Sequence, residues 1–375
     1  MITAVDMIGT NSGSGTKTYN LNFCKFIQEQ NISKKIYIFI SQEYLNTIGA
    51  NQKSNIHYIV KPIFLKNAFL RILWMQFFLP FELKKLKVNQ LFSPMNIGPI
   101  FIRFFGIRLI LGLHSNLPWV YFSKMPGNFF RKLFTKLLME ISIHICDRLI
   151  VNSKFAKDEI VKFVKIKEEK IFVVYLGIDK KFLNNEKNTF YLNEINYQDY
   201  ILSIMSCVRY HNILNLLKAF KLLKKETNLN IKYILVLQIL DSKYFHEIKN
   251  FVTNNFSHDE IILLHEIENK YLVNLYKYAK FYVFSSDCEV FGLTSLEAMS
   301  QGCPVLVSNK SALVEINSDA VEYFNPDMED EIKLKMLKIL DNFDYRKKLI
   351  KKGNHHFKKF SWDQTVKETI KILFN

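Results

Sequence analysis

The chain has 375 residues and a formal net charge of +16, with 49% hydrophobic and 23% charged residues. This composition excludes an intrinsically disordered chain, and the length is that of two domains that each bury their own core. The five cysteines are scattered without a Cys-x-x-Cys pair, so neither a disulfide framework nor a zinc site is expected, and a reducing compartment fits.

The first half of the chain alternates short apolar strands with helical patterns. Strands are predicted at 2–7, 35–40, 56–60, 90–92, 108–113, 148–151 and 171–175. Helices are predicted between them, among others at 16–30, 67–79 and 128–146. Such alternation is typical of a parallel sheet that is covered by helices.

The second half repeats this rhythm. Strands are predicted at 200–205, 232–237, 261–264, 281–285 and 305–308. Helices are predicted at 213–225, 242–254, 270–279, from 294 onward and at 362–374. Two such halves would leave a cleft between them, where open parallel sheets bind ligands at the carboxyl ends of their strands. The predicted domains are 1–178 and 179–360, with a last helix in 361–375 that packs across both.

The positive charge is concentrated in the first half. Residues 1–180 hold 25 basic and 11 acidic residues, a net charge of +14, whereas the remainder carries +2. Between Lys53 and Lys136 there are 13 basic residues and one acid, Glu82, with aromatic and aliphatic side chains interleaved. This pattern favours an anionic membrane surface as a partner, and a solvated lysine face is the plain alternative. Nucleic acid is not expected, because no recognised reader motif accompanies the charge.

No targeting or membrane-spanning segment is predicted. The N-terminus lacks the basic and apolar regions of a signal peptide, and no stretch reaches the ~18 apolar residues that cross a bilayer. We therefore expect a cytoplasmic protein that is peripheral at the inner face of the cytoplasmic membrane.

Two features of the N-terminal half are candidates for ligand contact. Gly13 and Gly15 precede the first predicted helix, and glycines there let the backbone approach a bound phosphate or sugar. His114 follows the predicted strand 108–113 and is expected to face the cleft. A plain flexible turn and a structural histidine are the respective alternatives.

The most informative segment runs from Ser285 to Met299. It follows an apolar strand and opens a helix after a tight glycine turn, and such a helix N-terminus attracts anions. Two acids, Glu289 and Glu297, stand eight positions apart in this segment. Acids do not bind phosphate but suit the hydroxyl groups of a ribose or a hexose, so the segment indicates a sugar-nucleotide site. A solvent-facing cap and a helix-surface charge are the alternative roles.

This C-terminal half resembles the retaining glycosyltransferases of family 4, which have the GT-B fold. The likeness lies in residues 170–179, in residues 212–220 and in the Glu-Val-Phe-Gly-Leu and Glu-Ala-Met sequences between Glu289 and Met299. It continues to residue 362 and is weaker in the N-terminal half. The resemblance implies an α/β protein with two Rossmann-like domains facing each other across a cleft.

The resemblance also implies roles for individual residues. Glu289 would lie at the hydroxyls of the donor hexose, Glu297 at the ribose and His114 at the donor sugar. The backbone of Phe291, Gly292, Leu293 and Thr294 would lie on the sugar and the diphosphate. Gly13, Gly15 and His211 are the other candidate donor-binding residues. Arg209 would stabilise the charge that the leaving diphosphate gains as the glycosidic bond breaks.

Ser115 stands where an aspartate is common in the family, and two positions of the C-terminal half also depart from the family pattern. His211 stands where a lysine is common, and histidine is only partly charged near neutral pH. Either Arg209 supplies most of the positive charge, or donor binding is weaker and sensitive to pH. Gln238 stands where a glycine is usual, and its side chain would crowd the site or reshape the base pocket.

Several motifs are absent from the sequence. There is no Asp-x-Asp, no His and Cys cluster, no Walker-type loop and no dinucleotide fingerprint. A reaction free of metal and cofactor fits these absences. The resemblance implies that a UDP- or GDP-sugar donates to a glycan or polyprenyl-linked acceptor, and together with the charge distribution it indicates bacterial capsule or lipopolysaccharide assembly. The alternatives are a degenerate sugar-nucleotide binding or scaffold protein and a sugar-nucleotide epimerase.

Overall fold

The computed structural model describes residues 1–8, 15–49, 55–125, 127–183, 199–265 and 267–375. These residues form two compact units. The first unit comprises Met1–Val120, Gly127–Gly177 and Trp362–Asn375. The second comprises Tyr121–Pro126 and Ile178–Ser361.

The described part of the first unit contains one parallel sheet. Its strands are β1 (Thr3–Asp6), β2 (Ile36–Ser41), β3 (Ile56–Lys61), β4 (Gln90–Ser93), β5 (Arg108–Leu113), β6 (Arg148–Val151) and β7 (Ile171–Val173). They pair in the order β3-β2-β1-β4-β5-β6-β7, and every pairing is parallel. Strands buried on both faces, such as β4, explain the unbroken apolar runs of the sequence.

Helices cover this sheet. They are α1 (Gly15–Ile27), α2 (Gln42–Ile48), α3 (Ala68–Leu73), α4 (Leu79–Lys85), α5 (Leu117–Val120), α6 (Phe129–Ile145) and α7 (Lys154–Val164). One π-helical turn, Trp74–Phe78, joins α3 to α4. The start of α6 is capped by Asn128, whose side-chain oxygen accepts from the Arg131 amide at 2.9 Å.

The second unit has its own parallel sheet among the described residues. Its strands are β8 (Tyr200–Cys207), β9 (Lys232–Ile239), β10 (Ile261–Leu264), β11 (Phe281–Phe284), β12 (Val305–Ser308) and β13 (Glu322–Phe324). Their order is β10-β9-β8-β11-β12-β13. On one side of the sheet, β8 is followed by β9 and β10, and on the other side β11 is followed by β12 and β13. The carboxyl ends of these two neighbouring strands therefore form the switch point at which doubly wound sheets bind ligands.

The helices of the second unit complete its layers. They are α8 (Ile213–Glu226), α9 (Ser242–Asn255), α10 (Asn269–Tyr278), α11 (Leu293–Ser300), α12 (Ala312–Asn317), α13 (Glu329–Asp341) and α14 (Phe343–His356). The two parallel sheets with their helices confirm the predicted α/β class. Several strands, such as β5 and β12, have the predicted bounds, whereas β13 and the helices α12, α13 and α14 were not predicted from the sequence.

The last helix, α15 (Trp362–Phe374), belongs to the first unit. Trp362 is 1% exposed and its ring lies edge-on to Tyr19, with the ring centroids 5.8 Å apart. The Thr365 hydroxyl donates to the Tyr175 carbonyl at 2.8 Å. These contacts fix α15 within the first unit, and its packing across both units stays a prediction.

Candidate functional site

The segment with the two acids forms a strand, a loop and a helix at the switch point of the second sheet. Strand β11 is buried along its whole length, and α11 begins directly after Gly292. Gly292 has φ +90°, and a Cβ added there would lie 2.5 Å from the Leu313 Cδ2 atom. Both the backbone conformation and the space therefore require glycine. A glycine cap supplies no side-chain acceptor, so the first-turn amides of α11 can serve an anion.

Glu289 is held by the start of α12. Its amide donates to the Ser311 hydroxyl at 3.0 Å, and its carbonyl accepts from the Ala312 amide at 3.2 Å. The side chain is 20% exposed, and one carboxylate oxygen lies 3.3 Å from Nε2 of His211. The backbone is thus fixed, while the carboxylate keeps room to accept a hydrogen bond from a ligand hydroxyl.

His211 occupies the loop after β8 and is buried. Its Nδ1 lies 2.6 Å from the Ser206 carbonyl oxygen, and because a carbonyl only accepts, Nδ1 must donate. Nε2 then faces the Glu289 carboxylate and donates to it when the ring carries a second proton. His211 is a predicted donor-site residue, and in the structure it lies directly beside Glu289.

The loops after β8 and β11 are tied together next to this pair. The Asn212 side-chain amide donates to the Ser285 carbonyl at 3.2 Å, and the Ser285 hydroxyl donates to the His211 carbonyl. Asn212 adopts a left-handed conformation with φ +50°, which asparagine tolerates better than most residues. The two loops at the switch point therefore form one rigid support for Glu289.

Glu297 lies on α11 in a different environment. Burial raises the pKa of its carboxyl to about 7, against the lowering effects of Lys181 and of the Tyr276 hydroxyl. That hydroxyl donates to Glu297 at 3.2 Å. The carboxyl is thus poised between the protonated and ionised forms at neutral pH, and it can donate or accept a hydrogen bond to a sugar hydroxyl.

Arg209 is engaged by acids of the second unit. Its guanidinium forms two hydrogen bonds with Glu247, one of them 3.1 Å long, and its Nε lies 4.0 Å from Asp241. It also stacks over the Tyr244 ring at 5.0 Å. Arg209 is therefore paired with acids of its own unit, and its predicted role at the diphosphate stays a prediction.

An ion pair that was not predicted from the sequence lies at this edge of the second sheet. Asp287 is buried, its amide donates to the Tyr210 carbonyl at 2.8 Å, and its carboxylate accepts from Lys124 at 2.7 Å. The two residues are 163 positions apart, so no local pattern pairs them. The only signal was an acid placed two residues before Glu289.

The other residues singled out in the C-terminal half lie in the core, in the first turn of α11 and beside His211. Phe291 is buried and packs edge-on against Phe360 with ring centroids 5.7 Å apart, so its side chain is part of the core. Leu293 and Thr294 form the first turn of α11. The Gln238 side-chain oxygen accepts from the Ser206 hydroxyl at 3.2 Å, beside the carbonyl that holds His211.

His114 lies at the carboxyl end of β5 in the first unit. The Asn152 amide nitrogen lies 2.8 Å from Nδ1, and because this nitrogen only donates, Nδ1 accepts and Nε2 carries the proton. Nε2 is buried, and no group of the described residues accepts from it. Burial also lowers the pKa of the ring to about 4. His114 is therefore a neutral ring with one N–H available to a ligand oxygen.

The predicted glycine pair is only partly described. Gly13 lies outside the described residues, whereas Gly15 is the first residue of α1. A Cβ added to Gly15 would meet no atom within 4 Å, so packing does not require glycine there. Among the described residues, no three His, Cys, Asp or Glu side chains gather in a group that could hold a metal.

A pair of Rossmann-like sheets, with a glycine-started helix and two acids at the switch point of the second, defines a GT-B glycosyltransferase. Two family models match this chain: Glycosyl transferases group 1 over residues 184–356, and Glycosyltransferase Family 4 over residues 13–182. The chain belongs to the family 4 glycosyltransferases, as the sequence analysis predicted.

Two curated relatives are O-antigen enzymes. The chain is 28% identical over 217 residues to the O-antigen chain mannosyltransferase RfbU of Salmonella typhimurium, covering 58% of this chain and 56% of that one. It is 28% identical over 240 residues to the O-antigen chain mannosyltransferase B of Escherichia coli, covering 62% of each. The matches thus span less than two thirds of either relative.

Solved structures share the fold over the whole chain. The HepE protein of Anabaena, solved in complex with UDP, superposes with a TM-score of 0.74, covers 99% of both chains and is 12% identical. At that identity the likeness concerns the fold alone.

Proposed function

We propose that the protein is a retaining hexosyltransferase that uses a nucleoside diphosphate sugar as its donor. The observation that carries this proposal is the pair Glu289 and Glu297 on either side of the N-terminus of α11, at the switch point of the second sheet. Amides and a helix dipole favour the diphosphate, while the two carboxyl groups favour sugar hydroxyls. The UDP bound to the related HepE fold supports this choice of ligand.

In the proposed reaction, the acceptor hydroxyl attacks the anomeric carbon on the face from which the diphosphate leaves. The carbon–oxygen bond to the phosphate breaks, and the hydroxyl proton passes to the departing phosphate oxygen. No separate protein base is needed. The amides of α11, together with Arg209, would stabilise the charge that accumulates on the diphosphate.

The proposed acceptor is a glycan or polyprenyl-linked glycan of bacterial surface polysaccharide assembly. The two O-antigen mannosyltransferase relatives support this class and favour mannose as the transferred sugar. We place the protein in the cytoplasm at the inner membrane face, where such acceptors would be presented. No described helix is long and apolar enough to cross a membrane.

The donor is tested by thermal stabilisation with a panel of UDP- and GDP-sugars, because a ligand that binds only the folded state raises the melting temperature. Transfer is then followed with the donor that stabilises most. Glu289→Gln should lower kcat by roughly 100-fold or more, since it removes a charged acceptor at the reacting sugar. Asp341→Asn, at an exposed acid on α13, is the matched control and should leave kcat unchanged.

Each alternative gives a different result in this experiment. A degenerate binding or scaffold protein, suggested by His211 and Gln238, would be stabilised by a nucleotide sugar without any transfer. An epimerase would release a changed sugar without an acceptor. If no nucleotide sugar shifts the melting temperature, the proposed donor site is wrong.

The proposed reaction requires no metal. The α11 amides would replace a bridging cation at the diphosphate. Transfer should therefore persist in EDTA at its full rate. A loss that Mg²⁺ or Mn²⁺ restores would contradict this part of the proposal.

A further inference from the structure

Three neighbouring segments of the first unit expose large apolar side chains. We call the exposed apolar side chains of residues 69–81, 101–104 and 129–141 the aromatic face. Phe104 is 86% exposed, Phe130 is 79% exposed and Phe69 is 68% exposed. Solitary exposed apolar residues are ordinary, but contiguous clusters of this kind mark a binding surface.

Hydrogen bonds show that the three segments adjoin. The Gln76 side chain donates to the Gly98 carbonyl at 3.2 Å and accepts from the Ile100 amide at 2.7 Å. The Gly98 amide in turn donates to the Ser142 hydroxyl on α6 at 3.1 Å. The turn before residue 101 is therefore bound on one side to the π-helical turn and on the other to α6. The aromatic face is one region of the first unit.

Helix α6 shows the amphipathic pattern most clearly. Its exposed apolar residues are Phe129, Phe130, Leu133, Phe134, Leu137 and Ile141. At about 100° per residue, these positions occupy roughly 140° of the helix circumference. The opposite side, with Leu138, Met139 and Ile143, is buried against the unit. One half of α6 thus serves the core, and the other presents aromatic rings to the outside.

The aromatic face lies in a strongly basic part of the chain. Residues 66–141 contain eleven Lys or Arg and two acids, Glu82 and Glu140, and the Glu140 carboxylate accepts from the Trp119 indole N–H at 2.7 Å. Glu82 does not add free negative charge to the surface, since its carboxylate is bound by Lys61 and by the Trp74 indole N–H. Lysine and arginine stems extend along apolar surface while their charged ends reach outward. The occupant of this face must therefore offer both an apolar interior and negative charge.

We propose that the aromatic face docks onto an anionic lipid bilayer, with the phenylalanine rings in the acyl boundary and the basic side chains at the headgroups. A second copy of the chain is a poor occupant, because a symmetric dimer would bring two equally basic faces together. This inference deepens the proposed function by naming the surface that meets a membrane-bound acceptor. It is tested without any transfer reaction.

The test is flotation of the full-length protein with vesicles of phosphatidylglycerol and phosphatidylcholine, and with vesicles of phosphatidylcholine alone. Wild-type protein should float with the anionic vesicles, and less so as salt rises. Phe130→Ser/Phe134→Ser should lower the bound fraction at least about tenfold, because two rings no longer enter the acyl boundary. Phe343→Ser/Leu334→Ser removes apolar residues of similar exposure from the second unit and should have no effect.

A charge variant tests the electrostatic part separately. Arg131→Glu/Lys132→Glu should also lower anionic-vesicle binding about tenfold or more, whereas Lys358→Glu/Lys359→Glu should bind as the wild type does. Stabilisation by nucleotide sugars should be unchanged in all four variants, so failure of docking and failure of donor binding are separate results.

Three results would overturn the docking proposal. One is wild-type flotation that is no greater with anionic vesicles than with phosphatidylcholine alone. Another is wild-type-like flotation of Phe130→Ser/Phe134→Ser. The third is a stable dimer in solution that this variant dissociates, which would assign the aromatic face to a second copy.

Discussion

At the scale of single residues, the two acids of the switch point differ in environment. Glu289 lies beside an imidazole, whereas Glu297 shares a hydrogen bond with Tyr276 and has a raised pKa. Both residues are partly exposed. A carboxyl group whose pKa is raised by desolvation lowers the stability of the folded protein when it ionises. The proposed ribose contact of Glu297 thus comes with a stability penalty that a substitution can reveal.

Glu297→Gln should stabilise the protein at alkaline pH. The folded-state pKa of about 7 lies above the ordinary value of 4.5, so the folded protein binds the extra proton. Stability from this group is therefore present at low pH and is lost as pH rises through about 7. Urea unfolding should show the variant gaining about 2 to 3 kcal/mol over wild type between pH 5 and pH 8. A constant difference across that range would contradict the raised pKa.

His114 should have the opposite pH dependence. Its folded-state pKa of about 4 lies below the ordinary 6.5, so the unfolded chain binds the proton first as pH falls. Stability is therefore lost progressively between about pH 6.5 and pH 4. His114→Gln should abolish this loss, about 2 kcal/mol between pH 7 and pH 5. The exposed His355 is the control: His355→Gln should unfold with the pH dependence of the wild type.

At the scale of secondary-structure elements, the start of α11 depends on one glycine. Gly292 allows a left-handed turn, lets Leu313 approach and leaves the first amides of the helix without a side-chain cap. A residue with a Cβ would strain the backbone and displace Leu313 from the core. Gly292 is therefore required both for anion binding by the first amides of α11 and for the packing of Leu313 on α12.

Gly292→Ala should lower both stability and donor affinity. The left-handed conformation and the overlap with Leu313 should together cost at least about 2 kcal/mol in the free energy of unfolding. Thermal shift with the best nucleotide sugar would measure the loss of affinity alongside. Gly49→Ala is the matched control for strain alone, because Gly49 has φ +58° with no atom within 4 Å of an added Cβ. It should weaken the fold while leaving donor binding intact.

At the scale of the whole molecule, the chain returns to its first unit at the end. The segments that cross between the units run side by side, since the Ile178 amide donates to the Phe360 carbonyl at 3.4 Å. Helix α15 then places Trp362 against Tyr19. The first unit is therefore packed from segments before residue 178 and from the helix that begins at Trp362.

Trp362→Ala should destabilise the first unit strongly. Truncating a tryptophan that is 1% exposed leaves a large cavity, and the expected loss is about 3 to 5 kcal/mol. Urea unfolding followed by far-UV circular dichroism would measure it. Phe343→Ala truncates a side chain that is 58% exposed and should change the free energy of unfolding by less than about 0.5 kcal/mol. Equal effects of the two changes would contradict the packing of α15.

Much of the fold was predictable because parallel strands that are buried on both faces leave unbroken apolar runs. Strand β13 does not form such an apolar run, because it has only three residues and begins with Glu322. That acid is buried among Lys335, Lys338 and the Tyr345 hydroxyl. Nothing local shows that a later helix will neutralise an acid in a strand.

The sequence by itself determined the α/β class, the segment that contains Glu289, Gly292 and Glu297, and the basic aromatic character of the first half. These follow from local periodicity and from motifs that lie within a few residues of each other. Only the tertiary structure decided that His211 faces Glu289, that Lys124 binds Asp287 and that Arg209 is bound by Glu247. Such partners are set by the packing of distant elements, which places side chains together irrespective of their separation along the chain.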